Sequence, residues 1–139
     1  IDLGIPSFLI QATVVGIVAQ RLVRKVCEKC AESYTLGAEE LLRMGLAVAK
    51  NPTGEVSLRR GKGCQRCRGT GFFGRTAVHE VIPYTDAIRR LTTPEADAHA
   101  IAAEAVREGM VSMRESAIQK MLAGITTVEE VLRVTWEKV

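Results

Sequence analysis

The stretch GCQRCRGTGFFGR, residues 63–75, holds two cysteines, four glycines and three arginines in thirteen positions. A hydrophobic core requires no such mixture, because it needs apolar side chains at helix or strand spacing. Cys64-x-x-Cys67 is the second of two such pairs, and 33 residues separate it from Cys27-x-x-Cys30. Each turn lets two sulfurs converge on one ion, so the pairs together predict a tetrahedral four-sulfur metal site.

The donor set also predicts which metal binds. Thiolates without a neighbouring carboxylate or histidine favour Zn²⁺, and less often iron, over harder ions. Four protein ligands leave no open coordination position, so we expect a structural Zn²⁺. A redox or disulfide role is the alternative, which the lack of a secretory signal disfavours. His79 and His99 are the competing ligands, but each stands alone, and we expect packing or surface histidines.

Composition excludes few classes of protein. The chain has 139 residues, a formal net charge of +3 and 47% hydrophobic residues, as in ordinary soluble domains. Bound thiolates would lower that charge, so global charge does not indicate nucleic-acid binding. Six basic residues within a short stretch predict a solvated face: they are Arg59, Arg60, Lys62, Arg66, Arg68 and Arg75.

The longest apolar run, Phe8 to Ala19, has 12 residues and includes Gln11. This is shorter than the roughly 18 to 20 residues that span a bilayer, and no cleavage site follows it. We therefore expect a cytoplasmic location. Because the sequence opens with Ile-Asp-Leu and no initiator methionine, we also expect a piece of a longer polypeptide.

The periodicity predicts an α+β fold that is mainly helical. Apolar residues at helical spacing predict one long buried helix from Pro6 to about Val26. Residues 37–45 predict a short helix capped by Thr35 or Ser33, and residues 51–54 predict a turn. RTAVHEVI, residues 75–82, predicts a strand that Pro83 ends.

Three consecutive capping signals predict a compact helical subdomain after this strand. Each combines a hydroxyl residue with a glutamate three positions later, and two of the helices end at a glycine. The signals are Thr92 with Glu95 and a stop at Gly109, Ser112 with Glu115 and a stop at Gly124, and Thr127 with Glu130.

Catalytic motifs are missing from this sequence. GKGC, residues 61–64, lacks the glycine spacing and the Ser/Thr of a phosphate-binding loop. No Ser/His/Asp or Cys/His set has credible spacing, so we expect no activity from this chain alone. The pattern C-x-x-C-x-G-x-G also occurs in the zinc centre of DnaJ-type chaperones, but only one copy is present here.

Three separated motifs occur in the order of a known family. AQRLVR (19–24) precedes the first cysteine pair, GTGFFGR (69–75) follows the second, and AGITT (123–127) precedes Glu129-Glu130-Val131. With them the chain closely resembles the C-terminal part of the type II secretion and type IV pilus assembly ATPases, over residues 1 to about 136. The resemblance is weakest over residues 46–62.

The resemblance implies a parent that is a cytoplasmic hexameric P-loop motor, docked on an inner-membrane platform. ATP hydrolysis with Mg²⁺ would drive pseudopilus or pilus assembly. Residues 1–26 would be the last helix of the ATPase core, 27–75 the zinc subdomain, and 76–139 a strand plus the helical C-terminal subdomain. Walker A and Walker B would lie upstream, and this piece would supply interdomain and intersubunit contacts and platform docking.

The resemblance also selects three arginines. Arg75 stands where the family has an arginine that faces nucleotide or docks a domain, and a guanidinium suits phosphates. It is otherwise a surface residue or a partner of Glu80. Arg21 and Arg24 are nucleotide or interface candidates, or helix-end arginines that contact the last carbonyls.

A free-standing zinc-ribbon module that binds nucleic acid or protein is the alternative function. Nucleic-acid binding would need stacking aromatics among the basic residues, and only Phe72 and Phe73 lie there. We therefore expect no nucleic-acid partner.

Overall fold

The computed structural model describes residues 4–48 and 54–135. Within them the α+β class is confirmed, with six helices and four strands arranged in two two-stranded sheets. No helix of the described residues is long and apolar enough to cross a membrane. The elements are α1 (Ser7–Thr13), β1 (Gly16–Val26), β2 (Ala31–Gly37), α2 (Ala38–Arg43), β3 (Glu55–Gly61), β4 (Phe72–Pro83), α3 (Asp86–Leu91), α4 (Ala98–Arg107), α5 (Met113–Leu122) and α6 (Val128–Thr135).

The chain divides into two compact units. The helical unit contains the residues up to Ala19 together with His79–Ser112, and therefore α1, α3 and α4. The cysteine unit contains Gln20–Val78 together with the residues from Met113 onward, and therefore β2, β3, α2, α5 and α6. The domain boundaries at 26 and 75 stay a prediction.

The long helix predicted over Pro6–Val26 is wrong. Helix α1 ends at Thr13, the backbone of Val14 is extended, and β1 follows from Gly16. Residues 14–19 are apolar and rich in β-branched side chains, which fits a strand as well as a helix. Pairing with β4 decides between the two, and Tyr84 N donates to Val15 O (3.1 Å) at one end of this ladder.

Strands β2 and β3 form an antiparallel hairpin whose open end carries the cysteine turns. The register runs from Ala31 opposite Gly61 to Gly37 opposite Glu55. Helix α2 begins directly after β2, as predicted, but its N-cap is Gly37 and no side chain caps it. The predicted caps Thr35 and Ser33 are wrong because β2 extends through both positions. Residues 51–53 of the predicted turn lie outside the described residues.

The core of the cysteine unit joins its strands to α5 and α6. The two predicted helices are confirmed, and Thr127 Oγ1 accepts a hydrogen bond from Glu130 N (3.4 Å) at the start of α6. Gly124 has φ 71°, as expected of the glycine that ends α5. The buried side chains include Val23, Leu41, Leu46, Leu58, Val78, Ala117, Met121, Val128, Val131 and Val134.

The helical unit has a small core built on Tyr84, Ile88 and Ala105. The helix predicted from a Thr92 cap is wrong at its start, because α4 begins at Ala98 and Asp97 caps it. Thr92 is buried instead, and its hydroxyl donates to Ile88 O (3.0 Å) and accepts from the Tyr84 hydroxyl (2.7 Å).

Candidate metal centre and its surroundings

The four cysteine sulfurs converge as predicted, and their Sγ atoms lie within 4.8 Å of one another. The Cys27–Cys64, Cys30–Cys67 and Cys64–Cys67 Sγ atoms are 3.9, 3.8 and 3.7 Å apart. A tetrahedron with metal–sulfur bonds of about 2.3 Å, as for Zn²⁺, has edges of about 3.8 Å. The cysteines are free, so the arrangement fits a metal rather than disulfides.

Backbone hydrogen bonds fix the two cysteine turns. Cys27 N donates to Gly71 O (2.9 Å), which joins the end of β1 to the start of β4. Lys62 N donates to Cys30 O (3.0 Å) and continues the β2–β3 ladder past Gly61. The first pair therefore lies at the junction of β1 and β2, and the second between β3 and β4, so four strand ends determine where the sulfurs point.

Two glycines let the chain pass close to the metal centre. A Cβ on Gly61 would clash with the carbonyl of Gly71, and one on Gly71 would lie 2.5 Å from the Gly61 oxygen. Gly71 also has φ 76°, which side chains disfavour. Gly61 and Gly71 thus permit a close backbone contact that a side chain at either position would prevent.

The surroundings of the Cys67 sulfur favour its thiolate form, which is the form that binds metals. Burial raises the pKa of the Cys67 thiol, but Cys64 N (3.1 Å) and Gly71 N (3.3 Å) donate to this sulfur and lower the pKa to about 6. Burial raises the pKa of the Cys30 thiol to about 12. Metals bind thiolates, so the amides around Cys67 favour the binding form of one ligand in advance.

A buried carboxylate lies beside the strand that leads to Cys27. The Glu130 side chain is 0% exposed and accepts from Arg24 Nη2 (2.9 Å), Arg24 N (2.7 Å) and Arg133 Nη2 (2.7 Å). Burial raises its pKa, but the bonds from Arg133 and Arg24 prevail and lower the pKa to about 2. This ionic cluster joins β1 to α6, and sequence reasoning missed it because Arg24 and Glu130 lie 106 residues apart.

Two of the three predicted arginines contact α6. Arg24 bonds to Glu130, and its guanidinium lies 4.0 Å from the Phe72 ring centroid. Arg21 Nη1 donates to the carbonyl oxygen of Val134, in the last turn of α6. Both therefore hold a helix against β1, and their roles toward nucleotide or an interface stay predictions.

Arg75 differs from these two arginines. It is exposed on β4 and lines a cleft of about 260 Å³ with Lys25, Arg66 and Phe73. Within residues 4–48 and 54–135 its guanidinium has no ion pair or hydrogen bond. The sequence therefore identifies a cationic side chain that is free to bind, and the ligand stays a prediction.

The two histidines lie outside the cysteine cluster. His79 is exposed on β4 and His99 is exposed in the first turn of α4. The described ligand group contains the four cysteines alone, which agrees with the expected packing or surface histidines.

The fold and the cysteine geometry together define an α+β module with four convergent cysteine sulfurs, a candidate metal site. The chain belongs to the family of type II/IV secretion system proteins, whose model matches residues 1–133. The resemblance stated from the three motifs is therefore confirmed.

Several curated proteins are similar over nearly the whole chain. The type IV pilus assembly ATPase PilB of Thermus thermophilus is 42% identical over 98% of this chain and 15% of its own length. The type II secretion system protein E of Pseudomonas aeruginosa is 38% identical over 99% of this chain and 26% of its own. The type II secretion system ATPase E of Vibrio cholerae is 38% identical over 98% and 26%. The chain thus spans about a quarter or less of these relatives.

Proposed function

We propose that the chain is part of an ATP-hydrolysing motor that powers type II protein secretion or type IV pilus assembly. The observation that carries the proposal is the family match over residues 1–133, with the four convergent cysteines inside it. Relatives named as secretion and pilus ATPases support it. ATP and Mg²⁺ would bind the parent through its Walker A and Walker B segments, outside this chain.

Zn²⁺ is the proposed ion at the cysteine centre. Sulfur separations of 3.7 to 3.9 Å and four thiol donors support it. Bound Zn²⁺ would supply no chemistry here, because four cysteines fill its coordination. It would fix the ends of β1, β2, β3 and β4, and with them the direction of the strand that carries Arg75.

The proposed contribution of this chain to the motor is a set of contact surfaces. Its contacts would be with its own ATPase core, with neighbouring subunits of a homohexamer, and with platform proteins that hold the motor peripherally at the inner membrane. Arg75 supports such a role, since its guanidinium is exposed and unpaired in the described part of the chain. Arg21 and Arg24 would act indirectly, by fixing α6 against β1.

The geometry favours the motor over a nucleic-acid module. Arg24 covers one face of the Phe72 ring and Arg66 covers one face of Phe73, at 4.0 and 4.4 Å from the centroids. Each ring therefore keeps at most one face for stacking on a base.

Two measurements test the proposal. Metal analysis of freshly purified chain should find about one Zn²⁺ per chain, and less than roughly one third would contradict the structural zinc. In the intact motor, Arg75→Ala should lower ATP turnover at least about tenfold while the zinc content is unchanged. Arg90→Ala is the matched control, because Arg90 is exposed in the helical unit. Equal turnover in both variants would leave Arg75 without a role in hydrolysis.

A further inference from the structure

The cleft beside Arg75 collects cations that have no acidic partner. Lys25, Arg66 and Arg75 line it, Glu28 is the acid among the lining residues, and none of the three cations forms an ion pair within the described part of the chain. Other cations of the cysteine unit do form such pairs: Arg60 and Lys62 bond to Glu32, and Arg24 and Arg133 to Glu130. The cleft therefore presents uncompensated positive charge to solvent.

Arg66 is already oriented for an incoming anion. Its guanidinium stacks 4.4 Å from the centroid of Phe73, whose side chain is 50% exposed. Stacking occupies one face of the planar group and leaves its N–H donors at the edges. Arginine and aromatic residues, phenylalanine among them, are enriched in protein interfaces. The cleft thus fits a protein surface that carries carboxylates.

Such a surface exists at the opposite end of the same unit. Glu39 and Glu40 stand in the first turn of α2, Glu55 begins β3, and all three are exposed. In the described part of the chain none of the three forms an ion pair. The hairpin register runs over seven residue pairs, from the cysteine end at Ala31 to Gly37 opposite Glu55. Seven extended residues span about 20 Å, so the two charged ends cannot meet within one unit.

We propose that the cationic cleft of one copy of this chain binds the acidic end of a second copy. Arginine and carboxylate would form charge-assisted, bidentate hydrogen bonds there. Because the complementary surfaces lie at opposite ends, the contact is heterologous, and it repeats in one direction into a ring or a line. The inference deepens the proposed intersubunit surface and rests on it, and it names the residues on both sides.

Sedimentation of the chain over a concentration series tests the contact. We expect a Kd on the order of 0.1–1 mM at low salt, weakening as salt rises. Arg75→Glu and Glu39→Lys should each weaken association at least about tenfold. An equimolar mixture of the two variants should recover it, because the unchanged cleft of the Glu39→Lys chain meets the unchanged acidic end of the Arg75→Glu chain.

The controls are Arg90→Glu and Glu95→Lys, which make the same charge changes at exposed positions of the helical unit. Both should associate like the unchanged chain, and metal content and unfolding midpoint should be equal in all variants. A chain that stays monomeric, equal losses in the controls, or no recovery in the mixture would overturn the contact. Stoichiometric binding of tripolyphosphate to a monomeric chain would assign the cleft to a phosphate ligand instead. Zinc content and ATP turnover test the proposed function separately.

Discussion

Different interactions stabilise the cysteine unit and the helical unit, each within itself. The first has four convergent sulfurs and a buried Glu130 shared by two arginines, in addition to its aliphatic core. The second has a small core around Tyr84, Ile88 and Ala105, with local side-chain hydrogen bonds. Loss of a cysteine ligand or of the Glu130 carboxylate therefore acts directly on the cysteine unit. The two units should respond differently to metal, pH and substitution.

The largest difference should follow from loss of a metal ligand. Cys64→Ser removes one of four sulfurs, and structural Zn²⁺ binding contributes about 10 kcal/mol or more to the folding of such sites. We expect residues 27–67 to lose cooperative folding, while amides of α4 keep their protection from hydrogen exchange. Hydrogen exchange with mass spectrometry measures both units at once. His99→Ala is the control and should change neither; protected amides in residues 27–67 of the Cys64→Ser chain would show that the metal is dispensable.

The glycine contact at the metal centre should come next. Gly61→Ala places a Cβ against the carbonyl of Gly71 and should cost about 3 kcal/mol of unfolding free energy, with weaker metal retention. Urea unfolding and metal competition by a chelator measure the two effects. Gly37→Ala is the matched control, because no atom lies within 4 Å of its added Cβ. Equal stability of the two variants would mean that the two backbones separate without cost.

The ionic cluster should have a smaller effect that depends on pH. Glu130→Gln leaves Arg24 and Arg133 without their carboxylate and should cost about 2 kcal/mol at neutral pH. The native pKa of Glu130 is lowered from 4.5 to about 2, so its contribution is fully present above pH 4.5 and is lost as pH falls through 2. The difference between the two chains should therefore shrink in acid. Glu129→Gln, at an exposed neighbour, should change the unfolding free energy little; a difference that grows in acid would contradict this assignment.

The smallest effect should come from the loss of one tyrosine hydroxyl, which can be removed from either unit. Tyr84→Phe removes the bond to Thr92 Oγ1 in the helical unit and should cost about 1 kcal/mol. Tyr34→Phe makes the same change in the cysteine unit, where that hydroxyl has no hydrogen bond to any of the residues that the structure describes. Hydrogen exchange measured during thermal unfolding should show a loss of stability in the helical unit for Tyr84→Phe, and no such loss for Tyr34→Phe. Equal losses would show that hydroxyl burial, and not the bond to Thr92, determines the effect.

Local signals in the sequence predicted the local features. Two C-x-x-C turns are each complete within four residues, and the Thr127 cap and the Gly124 stop are each set by neighbouring positions. The apolar residues of β1 satisfy both the helical and the strand period, so the sequence alone predicts a helix. Only pairing with β4, which begins 46 residues after β1 ends, decides for the strand. The Thr92 signal predicts the wrong start for α4, because Asp97 caps the helix and the Thr92 hydroxyl is engaged with Ile88 O and Tyr84.

The remaining part of the site depends on distant contacts. Nothing near Arg24 in the sequence indicates Glu130, since the pair is 106 residues apart and Glu130 fits a capping box with Thr127. The same holds for the cleft, whose Lys25 and Arg75 come from different strands. Arg75 was found through the family resemblance, and its neighbours only through the fold.

The separation between Arg24 and Glu130 also sets an order of events during synthesis. A ribosome adds about 5–20 residues per second, so about 5–20 s pass between the synthesis of Arg24 and that of Glu130. Cys67, the last of the four cysteines, is made 43 residues after Arg24, so the cysteine turns can meet after about two fifths of that interval. A nascent chain can therefore bring its four cysteines together while β1 still lacks α6, and for the remaining seconds Arg24 has no Glu130 to bind.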